Sequence, residues 1–198
     1  MKTMSRMVGA LALLVAFGAQ AQNGAPDALV KGTVSEVLAA IKQTRDPRTL
    51  AEFAERKLLA YFDFREMTRM AVGRAWSQAS AAQRQALERV FRTLLLRTYT
   101  TALAQANGDQ TVEVKPVALR QGDTDATVRT LVKEPGKKPL PMDYRMTNAS
   151  GGWKVYDVVV ENLSIVTNYR SSFHAEISRS GIDGLIRVIE TKNQKQEG

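Results

Sequence analysis

A chain of 198 residues with 28 Lys and Arg against 20 Asp and Glu carries a formal charge of +8, and it contains no cysteine. That composition excludes a fold stapled by disulfides and an anchor attached through an N-terminal cysteine, so the core alone must hold the structure. The basic balance serves solubility and favours anionic partners such as lipid headgroups or acidic protein surfaces; no nucleic-acid-binding motif is present.

Residues 1–21 read as a secretory signal peptide. Lys2 and Arg6 give the positive start, residues 7–17 are apolar but too short to span a bilayer comfortably, and Ala19-Gln20-Ala21 is an A-x-A cleavage site. Cleavage leaves 177 residues with a charge of +6, a size suited to one domain. That domain is expected over residues 22–190, followed by a polar, frayed tail over 191–198.

The first helix carries Val30, Val34, Val37, Leu38 and Ile41 on one face. Asp46-Pro47 stops it and opens a second with Leu50, Phe53, Ala54 and Leu58. Asp63 and Glu66 have capping-box spacing for a third helix with Phe64, Met67, Met70 and Ala71, and a loop or helix end after it holds Trp76. Ser80 and Gln83 repeat the capping-box pattern before the longest helical stripe: Leu87, Val90, Phe91, Leu94, Leu95, Thr98, Tyr99, Ala102 and Leu103, stopped at Asn107-Gly108. Arg84, Glu88 and Arg92 mark its solvated side.

After Gly108 the period changes from helical to two, predicting strands over 111–120, 124–133, 138–148 and 153–161 joined by short turns. Leu140, Met142, Tyr144 and Met146 share a face of the third strand, and Pro116 marks an edge or bulge in the first. The stretch 151–173 is the pivot of the chain. A glycine turn leads into a Val- and aromatic-rich strand, which passes through a corner at Asn162 to a helix opening at Ser164 and ending at Gly181. Asp183 is expected to cap a final short helix with Leu185, Ile186, Val188 and Ile189. The fold class is therefore α+β, with helices packed on one face of a curved four-stranded antiparallel sheet.

These motifs resemble the MlaC family of periplasmic phospholipid carriers of the toluene-tolerance lipid-transport system. The resemblance rests on Val155-Tyr156-Asp157-Val158-Val159-Val160-Glu161 and on Ser164-Ile165-Val166-Thr167-Asn168-Tyr169-Arg170-Ser171-Ser172-Phe173. Phe64-Arg65-Glu66-Met67, Val72-Gly73-Arg74-Ala75-Trp76 and Gly181-Ile182-Asp183-Gly184-Leu185-Ile186 add to it. Asn162 stands where the family usually has glycine, and asparagine is the next residue best suited to a left-handed backbone. The resemblance implies a periplasmic protein with a deep apolar pocket between sheet and helices. It implies phospholipid as cargo rather than a cofactor. Its partners would be an outer-membrane lipoprotein–porin complex and an inner-membrane ABC transporter with a substrate-binding ring. The carrier itself is expected to act as a monomer.

Candidate tail-pocket residues are Phe64, Met67, Trp76, Phe91, Leu94, Tyr99, Val128, Met142, Tyr144, Val155, Val159, Tyr169 and Phe173, although for any single one ordinary core packing is the favoured reading. Two apolar sets on the last strand, Trp153-Val155-Val159 and Tyr156-Val158-Val160, leave its pocket-facing side open. Arg84, Arg92, Lys137 and Lys138 are candidates for headgroup or partner contact. Catalysis finds little support. The one histidine, His174, lies two residues from Ser172 on a predicted helix, so the two side chains diverge. Asp157 and Glu161, four residues apart on a strand, stand roughly 13 Å apart, beyond the roughly 5–9.5 Å of a glycosidase pair. No metal-ligand cluster and no phosphate-binding glycine loop occur. The competing expectation is an exported interaction module, an inhibitor or assembly factor, with a filled core and an apolar surface patch.

Overall fold

The computed structural model describes residues 24–106, 108–149 and 151–195; the expected signal peptide lies outside them. Helices α1 (Pro26–Gln43), α2 (Pro47–Lys57), α3 (Phe64–Val72), α4 (Ala75–Gln78) and α5 (Ala81–Ala104) come first. Strands β1 (Thr111–Val114), β2 (Asp125–Lys133), β3 (Leu140–Thr147), β4 (Lys154–Val160) and β5 (Leu163–Ser164) follow, and α6 (Arg170–Lys195) closes the chain.

The starts of α2, α3 and α5 are where the sequence places them. Asp46 caps α2 by accepting from the Thr49 N–H at 2.8 Å, with Pro47 in the first turn. Asp63 caps α3 through the Glu66 N–H at 2.9 Å. Ser80 and Gln83 form a full capping box at α5, with bonds of 3.2 and 3.0 Å.

The sheet is an antiparallel meander in the order β1-β2-β3-β4-β5, one short strand more than the four expected. Glu161 (φ 48°) and Asn162 (φ 67°) are both left-handed and make a two-residue hairpin turn that brings Leu163 back beside Val160. Asn162 thus takes the left-handed role that glycine would fill. The helix expected to open at Ser164 is delayed by β5 and a 3-10 turn at Thr167–Tyr169, and α6 begins at Arg170. β1 is also shorter than expected: it ends at Val114, two residues before Pro116, which cannot donate to the ladder.

α6 breaks at Gly181, whose φ of 69° and ψ of −176° lie outside the helix, and then resumes. Asp183, expected to cap the second half, instead accepts from Gln83 Nε2 at 2.9 Å and so ties α6 to the first turn of α5. The resumed helix runs through the supposed frayed tail to Lys195. Asn193 is buried there, donating to the Val90 carbonyl at 2.9 Å, and its own carbonyl accepts from Arg97.

Three apolar clusters hold these elements. The largest joins α3, α4, α5 and α6 around Phe91, Leu94, Met67, Val166 and Phe173. A second joins α1 to the sheet through Val30, Val128, Met146, Trp153 and Val155. A third links α1, α2 and the end of α5 through Ala40, Ile41 and Leu50. Phe62 packs on the first two clusters, and the next residue's N–H donates to the Val155 carbonyl at 2.8 Å.

Asp157 fixes the entry to α6. It is completely buried, accepts from the Val166 N–H at 3.3 Å and pairs with Arg145 at 3.3 Å. Asp157→Ala orphans a buried N–H and is expected to cost about 1–3 kcal/mol in chemical denaturation. Arg145→Ala should cost a comparable amount despite the half-exposed arginine, because it strands a buried carboxylate. A negligible effect from both would deny that this pair holds the corner.

Candidate functional site

The candidate site is the seam where the sheet meets the helices. Cross-strand partners share a face, so register decides which side chains line it. Val128 opposes Tyr144, and Tyr144 opposes Val158. Between Arg145 and Met146 the register shifts: Arg145 pairs with Asp157, but Met146 pairs with Val155, leaving Tyr156 as the extra residue of a bulge. The bulge flips the parity of β4. Trp153 and Val155 therefore lie on the same side as Val158, and these form one wall with Val128, Tyr144 and Met146. Val159, expected in the pocket, pairs with Asp143 and belongs to the opposite face. Leu29, Val30 and Val34 of α1 pack onto the wall.

The remaining tail-pocket candidates divide by burial. Phe91, Leu94, Met67, Trp76 and Phe173 are buried within the helical layer. Phe91 makes edge-to-face contacts with Tyr169 at 5.2 Å and with Phe173 at 5.3 Å. Phe64, Tyr99, Met142, Tyr144 and Tyr169 are half-buried; Phe64, Tyr99 and Tyr169 pack on the helical cluster and Tyr144 on the sheet cluster. Met146, Trp153, Phe62 and the α1 residues were not among the candidates. Met146 is reachable from the alternation on β3 and Trp153 from that on β4, whereas Phe62 and the α1 residues need the docking of elements distant in the chain.

The phenols report a water-poor interior. Burial pushes the Tyr144 phenol up to about 12, and among the described residues its hydroxyl meets only the Met142 thioether, a weak acceptor, at 3.2 Å. Burial, helped by the nearby Tyr169 and Asp157, pushes Tyr99 up to about 12 as well, and burial raises Tyr169. A folded-state value above the unfolded one means these tyrosines bind protons more tightly in the folded protein. Their contribution is intact below the unfolded value and is lost as pH climbs through the folded one. Stability should thus fall between about pH 10 and pH 12, with Tyr144 responsible for on the order of 2 kcal/mol. Denaturation across this range should show a shallower loss for Tyr144→Phe; an unchanged slope would refute the assignment.

The residues that could sketch a hydrolase are otherwise engaged. Asp157 is bound to Val166 and Arg145, the Ser172 hydroxyl donates to the Tyr169 carbonyl at 2.9 Å, and His174 is exposed on α6. Among the described residues no group of three or more His, Asp or Glu is placed to hold a metal, and no helix is long and apolar enough to cross a membrane. Of the basic candidates, Arg84 and Arg92 line one groove on the outer side of α5. Lys137 and Lys138 sit in the β2–β3 turn, where Lys137 pairs with Glu134 at 2.8 Å. The sequence grouped the four by charge alone; the structure separates them into two places.

Known proteins share this arrangement. The family model described as MlaC protein matches residues 31–191. A protein of Haemophilus influenzae named intermembrane phospholipid transport system binding protein MlaC is 25% identical over 152 residues, covering 75% of this chain and 71% of that protein. Toluene tolerance protein ttg2D of Pseudomonas putida is 28% identical over 184 residues, covering 88% of this chain and 84% of that protein. A solved structure of a phospholipid-binding protein from Ralstonia solanacearum, in complex with a phospholipid, superposes with a TM-score of 0.79 at 35% identity, covering 88% of this chain and all of that one. With the whole meander and nearly all of the helical layer inside the matched span, the chain belongs to the MlaC family.

Proposed function

We propose that this chain is a periplasmic carrier that moves glycerophospholipids between the outer and inner membranes, with the acyl tails enclosed at the seam between sheet and helices. The observation that carries this reading is the 35% identical structure, matched over its whole length, that holds a phospholipid. The half-buried aromatic and methionine side chains at the seam support it, because methionine adapts to apolar partners of irregular shape. Nothing favours a filled interaction module.

The physics of the cargo sets the task. A two-tailed lipid exposes on the order of thirty methylenes, an upper bound near 24 kcal/mol at roughly 0.8 kcal/mol each. Unassisted transfer through water is therefore negligible, and the carrier must enclose the tails in about 1,000 Å³ or more. The headgroup stays at the mouth in water, so selectivity among headgroups should be weak. Direction comes from the partners: an outer-membrane lipoprotein–porin complex at one end and an inner-membrane ABC transporter with its ring at the other.

Native mass spectrometry of the mature protein purified from a bacterial periplasm tests the proposal. The expected result is an added mass of diacyl phospholipid at one or two per chain. A protein that is lipid-free as purified, and remains so after incubation with phospholipid vesicles, overturns it.

A further inference from the structure

A concave surface lies on the outer side of α5. It is a groove of about 590 Å³ over Trp76, lined by Arg65 from α3 and by Arg84, Glu88, Arg89 and Arg92 from successive turns of α5. Its charge is mostly unspent. Arg65 and Arg92 are exposed and have no acidic partner among the described residues. Arg84 lies 5.6 Å from the centre of the Trp76 ring and donates to the carbonyls of Trp76 at 3.0 Å and Ser77 at 3.1 Å. Carbonyl acceptors orient a guanidinium without neutralising it, so Arg84 is both fixed and positive. Arg89 reaches Glu190 only at an exposed 3.6 Å.

We infer that this groove is a docking site for an acidic segment of a partner protein. Arginine forks recognise carboxylates in pairs, and a row of them along one helix face suits a chain bearing several carboxylates. The shape argues against a bilayer surface, which a concave groove cannot approach closely. The lining argues against a lipid headgroup site, because the one large apolar group, Trp76, is already covered by Arg84 and no seam wall residue borders the groove. The site therefore reads charge and leaves the tails to the seam.

The test uses the mature, lipid-loaded protein and a fluorescein-labelled, glutamate-rich peptide of about twelve residues, followed by fluorescence anisotropy at low and high salt. Arg65→Glu/Arg92→Glu should weaken peptide binding by about tenfold or more. Arg120→Glu/Arg129→Glu, which changes the net charge equally at exposed positions away from the groove, should leave it within about threefold. Lipid occupancy by native mass spectrometry should be unchanged in both variants, which separates failure of this inference from failure of the carrier reading. Equal weakening in the two double variants, no peptide binding at low salt, or groove-dependent binding of phosphatidylglycerol vesicles in place of the peptide would each overturn it.

Discussion

Phe91→Ala is expected to destabilise the protein by about 3–5 kcal/mol and to lower its melting temperature by about 6–20 °C. Phe91 has no exposed surface and sits at the centre of the helical cluster, holding α5 against α6 and the turn before it. Truncation removes its transfer energy, leaves a void that two helices cannot close and ends both edge-to-face contacts, with Tyr169 and Phe173. Calorimetry of the lipid-free protein measures the effect directly. A loss under about 1 kcal/mol would mean that the ring borders empty space rather than packed neighbours.

Tyr144→Glu is expected to abolish phospholipid copurification, a loss of occupancy of at least about tenfold, while circular dichroism still reports a folded protein. Tyr144 stands in the middle of the sheet wall, between Val128 and Val158. A carboxylate there faces the environment that already suppresses ionisation of the phenol, and apolar tails cannot solvate it. Tyr144→Phe is the matching control. The hydroxyl's partner is a thioether, so its loss should leave occupancy intact. Full lipid occupancy in Tyr144→Glu would remove Tyr144 from the wall.

Local rules were legible in the sequence wherever one residue acts on its near neighbours. The caps at Asp46, Asp63 and Ser80, the α5 stripe from Leu87 to Leu95 and the antiparallel order of the first four strands follow from spacing alone, and the structure repeats them. The misjudged features depend on partners distant in the chain. Valines and tyrosine on both faces of β4 concealed the bulge, because both faces are partly covered, so alternation could not say which side met α1. Polar residues at the C-terminus suggested fraying, yet Asn193 is buried because the Val90 carbonyl, more than a hundred residues away in the chain, accepts its amide. The seam itself could be inferred only as a place where layers meet. Which aromatics are fully buried and which only half-buried depends on how α5 and α6 pack on each other.

An open sheet has two unpaired borders, and each is a template on which another copy of the chain could continue the ladder. Here β1 spans four residues before Pro116, and Glu113 on it is held between Lys115 at 3.1 Å and Lys133 at 2.7 Å. β5 spans two residues and turns at once into a 3-10 turn. An incoming strand thus finds charge and proline at one border and almost no length at the other. Protection from self-assembly is built into the ends of the sheet rather than into its interior, so it persists whether the interior is filled or empty.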